Sequence, residues 1–388
     1  MAKIKVRPED FVVDELIELP LTKKGRYTIL KLEKRFWNTL DVIDFVARKM
    51  QVPKRLFSRA GLKDRYSLST QYLSYRGDFK ETIREKNFTL KPIGMADSPV
   101  TPGMLKGNAF CIILRSLTEK EVERLESNTH EIEKHGFPNY FDEQRFGSAR
   151  HGKGFIAKKL ILEHYAGALK LLMCHAHRED GPHERKFKNY CLNQWRNWSG
   201  CLNIAPPFYR PILKYLCEHP KDLKGAIKKI DKEFLNLYLL AYQSFLFNEI
   251  IYRIVKHCGI DCVGMEYSVG DFLFYHALPA TATLREMPIP MLNEKTKLIG
   301  LTEKMTEKVL NKEGITLRDM ALRKLRLRGV RFKAFERNAT VFPKNLTVMK
   351  PYPDEIYKKR LQCAIHCTLP PGTYATILIK RLLLGCNN

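Results

Sequence analysis

The chain lacks the sequence features that identify most nucleotide-dependent, membrane-bound or secreted proteins. It contains no G-x-x-x-x-G-K-[ST] loop, so an NTP-driven reaction is not indicated. No apolar run reaches the roughly 18 residues of a membrane span. The N-terminus MAKIKVRPEDF also has no apolar core of a signal peptide. We therefore expect a cytoplasmic chain that uses no nucleotide cofactor and has no membrane partner.

Paired cysteine motifs are also absent, although the chain has 10 cysteines and none of them forms a C-x-x-C pair. Free thiols in a reducing compartment are therefore expected. The group Cys174, His175, His177 and His183 superficially resembles a metal site, but its spacing does not match the paired ligands of zinc sites. We interpret these histidines as surface residues and predict no metal and no other cofactor.

Acidic residues are scarce relative to basic ones: 42 Asp and Glu face 67 Lys and Arg, which gives a net charge of +25. Such a charge attracts polyanions and releases their counterions on contact. Nucleic acid is therefore the first candidate partner, and an anionic membrane is the second. The segment 317–338 is especially rich in Arg and Lys, with leucines in between. It is either a solvated helix face or a surface that packs on one side and contacts phosphate on the other.

The first part of the chain alternates between strand-like and helix-like patterns. Residues Tyr27–Leu32 alternate as a half-buried strand does, and a helix is predicted to begin after Thr39 as its N-cap. Thr118 and Glu121 have the spacing of a capping box, and Gly136 is expected to end the helix that follows.

Helical patterns dominate from about residue 155 to 335, with the strongest helix over 233–257. We interpret 155–335 as an inserted domain that interrupts a discontinuous domain made of residues 1–154 and 336–388. Near the end of the chain, the prolines and glycine of Leu369–Thr373 predict a turn. The apolar run after this turn predicts a buried strand.

Asp64 is the first candidate catalytic residue. It lies between Lys63 and Arg65, after the glycine at position 61 and before a predicted strand. Neighbouring cations favour the charged form of a carboxylate, which can then act as a nucleophile or base. From its position alone, an ordinary surface ion pair is the more common explanation.

The segment Ala60–Arg65, followed by Thr70 and Gln71, resembles the signature loop of the TruD family of tRNA pseudouridine synthases, in which the catalytic aspartate follows G-x-K. Further matches follow in family order over nearly the whole chain: Lys5–Phe11, Asn38 and Thr39, Lys106–Phe110, Pro138–Phe141, Gln144–Gly147, Ser244 with Phe247 and Asn248, and Leu369–Thr376.

The sequence departs from the family pattern at two places. Asp142 occupies a position where the family usually has Gly, and Met287–Met291 only approximates the family's L-P-G loop.

This resemblance implies both a fold and a reaction. The fold is α+β: a pseudouridine synthase catalytic domain around a central mixed, largely antiparallel sheet, with an inserted α/β TRUD domain. The reaction is the isomerisation of uridine in tRNA, at uridine 13 in the family's usual substrate, with Asp64 as the catalytic carboxylate. It requires no cofactor, and a monomer is expected.

The resemblance also implies supporting residues. The target uridine must leave its base stack, and Phe141 is the expected stacking partner for the flipped base. Lys5 is expected near Asp64, and Lys63 is expected to support the site or bind substrate. Asn139 is expected to orient the Asp64 loop. The last two candidates are Gln144 and Arg145, whose role is either structural or a phosphate contact. The alternative function is a non-catalytic RNA-binding or tRNA-folding protein on the same fold, although the catalytic Asp is intact.

Overall fold

The computed structural model describes residues 2–149, 151–177 and 179–385. The chain forms two compact units, which we call unit 1 (residues 1–137 and 341–388) and unit 2 (residues 138–340). The inserted domain predicted from the sequence has the bounds 155–335 instead, and its status as a separate domain stays a prediction.

The first part of unit 1 supplies most of its strands. In chain order its elements are β1 (Phe11–Ile17), β2 (Tyr27–Lys34), α1 (Thr39–Lys49), β3 (Phe57–Arg59), β4 (Leu68–Arg76), β5 (Ile83–Glu85), β6 (Phe88–Ala96), β7 (Leu105–Leu117) and α2 (Glu119–His135).

Unit 2 is mostly helical. With the short strands at its two ends, its elements are β8 (Phe137–Pro138), α3 (Ile156–Ile161), α4 (Tyr165–Met173), α5 (Pro182–Asn193), α6 (Trp198–Asn203), α7 (Arg210–Glu218), α8 (Leu223–Ile227), α9 (Lys232–His257), β9 (Cys262–Tyr267), β10 (Gly270–Tyr275), β11 (Pro288–Pro290), α10 (Gly300–Glu313), β12 (Glu336–Asn338) and β13 (Thr340–Val341).

The chain then returns to unit 1. The last elements are β14 (Lys344–Val348), β15 (Tyr352–Pro353), β16 (Leu361–Leu369) and α11 (Ala375–Leu382).

The described residues of unit 1 form one ten-stranded sheet in the order β14-β16-β7-β1-β4-β2-β6-β5, with β15 on β16 and β3 on β4. Among the described pairs, β1 and β4 run parallel and the others run antiparallel. This arrangement confirms the predicted α+β fold with a mixed, largely antiparallel sheet. It also places β4, which follows the Asp64 loop, between β1 and β2 in the middle of the sheet.

Helix α1 covers the β2 region of this sheet. Val42 and Val46 of α1 pack with Leu30 and Leu32 of β2 in one apolar cluster, in which all four side chains are fully buried. The predicted N-cap, Thr39, is wrong: Asn38 is the N-cap residue and Thr39 is the first residue of the helix. Thr39 is buried, and its hydroxyl is engaged with residues of the Asp64 loop and β4, as described below.

Two of the other sequence predictions for unit 1 have opposite outcomes. The capping box is confirmed, since Thr118 accepts from the Glu121 amide and Glu121 accepts from the Thr118 amide; Gly136 follows as the C-cap. The predicted final strand is wrong, because Ala375–Leu382 forms helix α11. Most side chains of this helix are buried, and an apolar run that is buried on all sides shows neither helical nor strand periodicity.

Unit 2 is organised around α9, whose 26 residues confirm the long helix predicted over 233–257. Its central side chains, including Leu246, Phe247 and Ile250, are fully buried. Two small antiparallel sheets, β9 with β10 and β11 with β12, complete the unit. Despite the length of α9, none of the described helices is both long and apolar enough to cross a membrane.

Candidate active site

The Asp64 loop, residues 60–67, connects the end of β3 to the start of β4. Both strands are fixed by antiparallel pairing, and β4 additionally pairs with β1 and β2. The loop therefore starts and ends on an ordered part of the sheet. A short polar loop on such a rigid frame can hold a reactive side chain in one position.

The side chain of Asp64 forms an ion pair with Lys5. The Lys5 Nζ donates to Asp64 Oδ2 at 2.6 Å, and the two side chains are 16% and 40% exposed. The same Lys5 ammonium lies 4.2 Å from the centroid of the Phe11 ring, which adds a cation–π contact. Lys5 also has a left-handed backbone, with φ of 55°. The family motif at the N-terminus thus brings its lysine to the predicted catalytic carboxylate.

Lys63 points the other way, into the sheet. Its Nζ donates to Glu15 Oε1 at 2.7 Å, and these side chains are 8% and 0% exposed. The other carboxylate oxygen of Glu15 accepts from the backbone amide of Tyr72 at 2.9 Å. From the sequence, Lys63 is expected to support the site or bind substrate. Its burial favours support of the loop, because an ammonium on a buried partner is not available to a phosphate.

Thr39 and Gln71, which belong to two of the family motifs, complete this support. The Thr39 hydroxyl accepts from the Lys63 amide at 3.2 Å and donates to Gln71 Oε1 at 2.8 Å. The first residue of α1, the Asp64 loop and β4 are therefore joined through one buried hydroxyl.

Lys34 lies beneath the loop and was not identified from the sequence. It is the last residue of β2, is 1% exposed, and donates to the backbone oxygens of Asp64 at 2.8 Å and Lys63 at 3.4 Å. The Ser67 hydroxyl donates to the same Asp64 oxygen at 3.0 Å. Burial lowers the pKa of Lys34 to about 8; the charge of Asp64 opposes this shift and that of Lys63 adds to it.

A sequence signal for Lys34 did exist. Leu30, Leu32 and Lys34 occupy the same face of β2, where the two leucines are fully buried. A lysine at the inward phase of a strand needs a partner, because an unpaired buried charge is costly. Continuing the apolar–polar alternation of Tyr27–Leu32 by two residues would therefore have identified Lys34 as a buried lysine.

The second group of predicted site residues lies in unit 2. Phe141 is only 3% exposed. Its backbone exchanges two hydrogen bonds with the Asn248 side chain, at 2.8 and 2.9 Å. The guanidinium carbon of Arg337 lies 3.8 Å from the centroid of the Phe141 ring, and Phe247 meets that ring edge-on at 5.4 Å. The Phe141 ring is thus packed against Arg337 and Phe247, which are far from it in the sequence.

Asn139 belongs to the same group. Its side-chain oxygen accepts from Arg337 at 2.6 Å and its amide nitrogen donates to the Asn338 backbone at 2.8 Å. These partners lie in unit 2, and the orientation of the Asp64 loop by Asn139 stays a prediction. Arg337 joins Asn139 to Phe141. From the sequence, Arg337 was considered only as one basic residue of segment 317–338, and its contact with this group was not predicted.

The remaining candidates differ in exposure. Gln144 is exposed, whereas Arg145 is half-buried, with its guanidinium carbon 5.7 Å from the Phe141 ring centroid. Asp142, which replaces the usual glycine of the family, is 3% exposed and has no positive φ. This position therefore needs no glycine in the present chain. Among the described residues, no group of three or more His, Cys, Asp or Glu is arranged to hold a metal ion.

Comparison with known proteins places this geometry in a family. The family model described as tRNA pseudouridine synthase D (TruD) matches residues 1–382. Two curated relatives are "Probable tRNA pseudouridine synthase D 1" of Methanococcus maripaludis, 30% identical over 98% of this chain and 99% of that protein, and "tRNA pseudouridine synthase D" of Aquifex aeolicus, 28% identical over 98% and 96%.

Among solved structures, the putative tRNA pseudouridine synthase D of Methanosarcina mazei is similar to this chain. The TM-score is 0.68 at 23% identity, and the match covers 98% of this chain and 93% of the other. This likeness supports the fold. The family model extends over both the Asp64 loop and the Phe141 segment, so the candidate residues lie within the matched region. The chain belongs to the tRNA pseudouridine synthase D (TruD) family.

Proposed function

We propose that this chain isomerises uridine to pseudouridine in tRNA, at uridine 13, and that the Asp64 carboxylate acts on the sugar of the target nucleotide. Membership in the family supports the reaction and the class of substrate. The choice of uridine 13 rests on the resemblance of the sequence motifs. We propose a cytoplasmic monomer as the active form.

The reaction exchanges one glycosidic bond for another. The bond between N1 and C1′ breaks, the uracil rotates, and a bond between C5 and C1′ forms; C5 then loses a proton and N1 gains one. No electron leaves the substrate, so the reaction needs no redox partner. A carboxylate can promote it by bonding to C1′ or by taking a proton from C2′, and both routes need an ionised group beside the ribose.

The ion pair between Lys5 and Asp64 is the observation that carries this assignment. It places a cation 2.6 Å from a carboxylate that is 40% exposed and therefore reachable by a substrate. Lys34, Ser67 and Lys63 hold the backbone around it through buried contacts. A preformed arrangement of this kind reduces the reorganisation needed when the nucleotide binds.

Phe141 is proposed as the stacking partner of the flipped uracil. One face of its ring already carries the Arg337 guanidinium. A stacked base would therefore displace the guanidinium or use the opposite face of the ring. Base–aromatic stacking contributes about 1–3 kcal/mol in comparable complexes, which is enough to offset part of the cost of unstacking the base.

The test is incubation of the purified chain with an unmodified tRNA transcript, followed by mapping of pseudouridine. We expect a single new pseudouridine at position 13, and none in a transcript with cytidine there. Pseudouridine at other positions would retain the reaction but overturn the choice of target. Absence of pseudouridine, with RNA binding intact, would instead favour the non-catalytic alternative.

A further inference from the structure

A basic segment of unit 2 takes no part in the site described above. We call residues 322–333 the arginine strap; they follow the short 3-10 helix Leu317–Ala321 and form neither a helix nor a strand. Of the two alternatives considered for this segment, the solvated helix face is therefore wrong for residues 322–333. Left-handed backbone at Leu322, Arg326 and Gly329, with φ of 49°, 44° and 86°, breaks the helical path repeatedly.

The strap is nonetheless fixed, because α9 binds its backbone. Asn236 donates to the Gly329 oxygen at 2.9 Å and accepts from the Arg331 amide at 3.2 Å. Two turns further along the helix, Gln243 donates to the Lys333 oxygen at 2.7 Å. Two side chains of one helix thus hold the segment in a single path, which distinguishes it from a flexible basic tail.

Its side chains separate by polarity. The apolar ones turn inward: Leu322, Leu325, Val330 and Phe332 are at most 8% exposed. The basic ones between them are exposed, and they are Arg323, Lys324, Arg326, Arg328, Arg331 and Lys333.

Most of these cations are not neutralised. Lys324 pairs with Glu163 at 2.7 Å. Arg323, Arg326, Arg328 and Arg331 have no carboxylate within 4.0 Å among the residues that the structure describes. The first three also line one shallow cavity of about 330 Å³, so their side chains converge on the same space. Like charges held together on a fixed backbone repel each other, and an anion in that space would relieve the repulsion.

We propose that the arginine strap binds the phosphodiester backbone of the RNA substrate, as a contact separate from the reacting nucleotide. Guanidinium groups bind phosphate oxygens through two parallel hydrogen bonds. Phosphate contacts of this kind set affinity and register without reading sequence. The identity of the RNA as tRNA rests on the proposed function. An anionic membrane fits the strap less well, since its apolar side chains are buried and have nothing to insert into a bilayer.

The experiment measures tRNA affinity as a function of salt for the full chain and for the quadruple variant R323Q/R326Q/R328Q/R331Q. Each neutralised phosphate contact contributes about 0.9 to the slope of log affinity against log salt for a duplex. If all four arginines contact phosphate, we expect the slope to fall by about 3.6 and the affinity at about 0.1 M salt to fall at least tenfold. In turnover assays, KM should rise while kcat stays unchanged.

Two controls make the result specific. The variant R323K/R326K/R328K/R331K keeps the charge and should keep the salt slope. The variant K23Q/K24Q/K86Q/K91Q removes the same charge from exposed lysines of unit 1 and should change the slope much less. Equal changes in the strap variant and the unit 1 variant would overturn the proposal in favour of a general charge effect, as would an unchanged slope in the strap variant.

Loss of binding to anionic vesicles, with tRNA binding intact, would assign the strap to a membrane and overturn the RNA proposal. The outcomes are also separable from those for the proposed function. If the wild type forms pseudouridine and the strap variant binds RNA as the wild type does, only the proposal for the arginine strap is overturned. If the wild type forms no pseudouridine but the strap variant has a lower affinity for RNA, only the proposed function is overturned.

Discussion

The ammonium of Lys63 lies 2.7 Å from the Glu15 carboxylate, with both side chains less than a tenth exposed. Removing one partner of such a pair leaves an uncompensated charge in the interior, which typically costs 3–5 kcal/mol. We therefore expect Lys63→Met to lower the free energy of unfolding by about 3 kcal/mol. Urea denaturation of this variant and of Lys63→Met/Glu15→Gln is the measurement. The double variant should recover part of the loss; a cost below about 1 kcal/mol for the single variant would contradict the buried pair.

Asp64→Asn preserves the size of the side chain and removes its charge. We expect product formation to fall below detection, because neither an attack on C1′ nor proton removal from C2′ is available to an amide. Affinity for tRNA should be equal or slightly higher, since one anion near the RNA is lost. Binding and pseudouridine formation are measured on the same preparation. Near-normal product formation would show that Asp64 is a loop residue without a chemical role.

Lys5→Ala leaves the carboxylate in place and removes the cation beside it. Turnover should fall without disappearing, because Asp64 is 40% exposed and water can partly replace the lost partner. Lys5→Arg retains a cation and should retain more activity than Lys5→Ala. The measurement is the single-turnover rate with saturating enzyme. Equal rates for wild type and Lys5→Ala would show that the ion pair contributes nothing to the reaction.

Lys34 should make stability depend on pH in a defined direction. Burial lowers its pKa from 10.5 to about 8. Between about pH 8 and 10.5 the unfolded chain therefore binds more protons here than the folded chain, and the free energy of unfolding rises with pH, by at most about 3 kcal/mol. Lys34→Met removes this contribution while the other titrating groups remain.

The test compares urea denaturation of wild type and Lys34→Met at about pH 7, 8.5 and 10. As pH rises, the free energy of unfolding of the wild type should increase relative to that of Lys34→Met. A difference that stays constant over this range would mean that Lys34 has the same proton affinity in the folded and unfolded chain.

Phe141 needs a variant that separates stacking from folding. Its ring is 3% exposed, so Phe141→Ala would create a cavity and cost about 3–5 kcal/mol of stability. Phe141→Leu keeps most of the volume and should cost less than about 1.5 kcal/mol. If the ring stacks on the flipped base, kcat/KM should still fall by roughly 5- to 150-fold, the equivalent of about 1–3 kcal/mol. An unchanged kcat/KM would leave Phe141 as a core residue.

The fold was predicted from the sequence motifs. The helices and strands were predicted correctly from periodicity only where one face of the element is buried. Helix α9 and the capping box of α2 were predictable from local rules. The error at Ala375–Leu382 arose where burial on all sides erases periodicity, and the error at Thr39 arose from a tertiary contact. Thr39 looks like an N-cap, but its hydroxyl is committed to Lys63 and Gln71.

The candidate site shows a similar division. The motifs were sufficient to propose Lys5 near Asp64, because both residues lie in short segments that match motifs of the family. They could not reveal that Lys63 points away from Asp64, since the direction of a loop side chain depends on what lies beneath it. Glu15 and Arg337 were missed for the same reason: each acts through a contact with a residue distant in sequence.

The place of β16 in the sheet has a consequence for how the protein is made. This strand pairs with β7 along most of its length, yet residues 138–340 are synthesised between the two. Until β16 has been synthesised, the edge of β7 that binds it therefore has no partner strand. This edge belongs to a strand that is rich in apolar residues, and such an edge is prone to pair with other chains. Unit 2 comes from one continuous stretch and can fold during that interval. We expect a nascent chain that stops before β16 to aggregate or recruit chaperones, although it already contains Lys5 and Asp64.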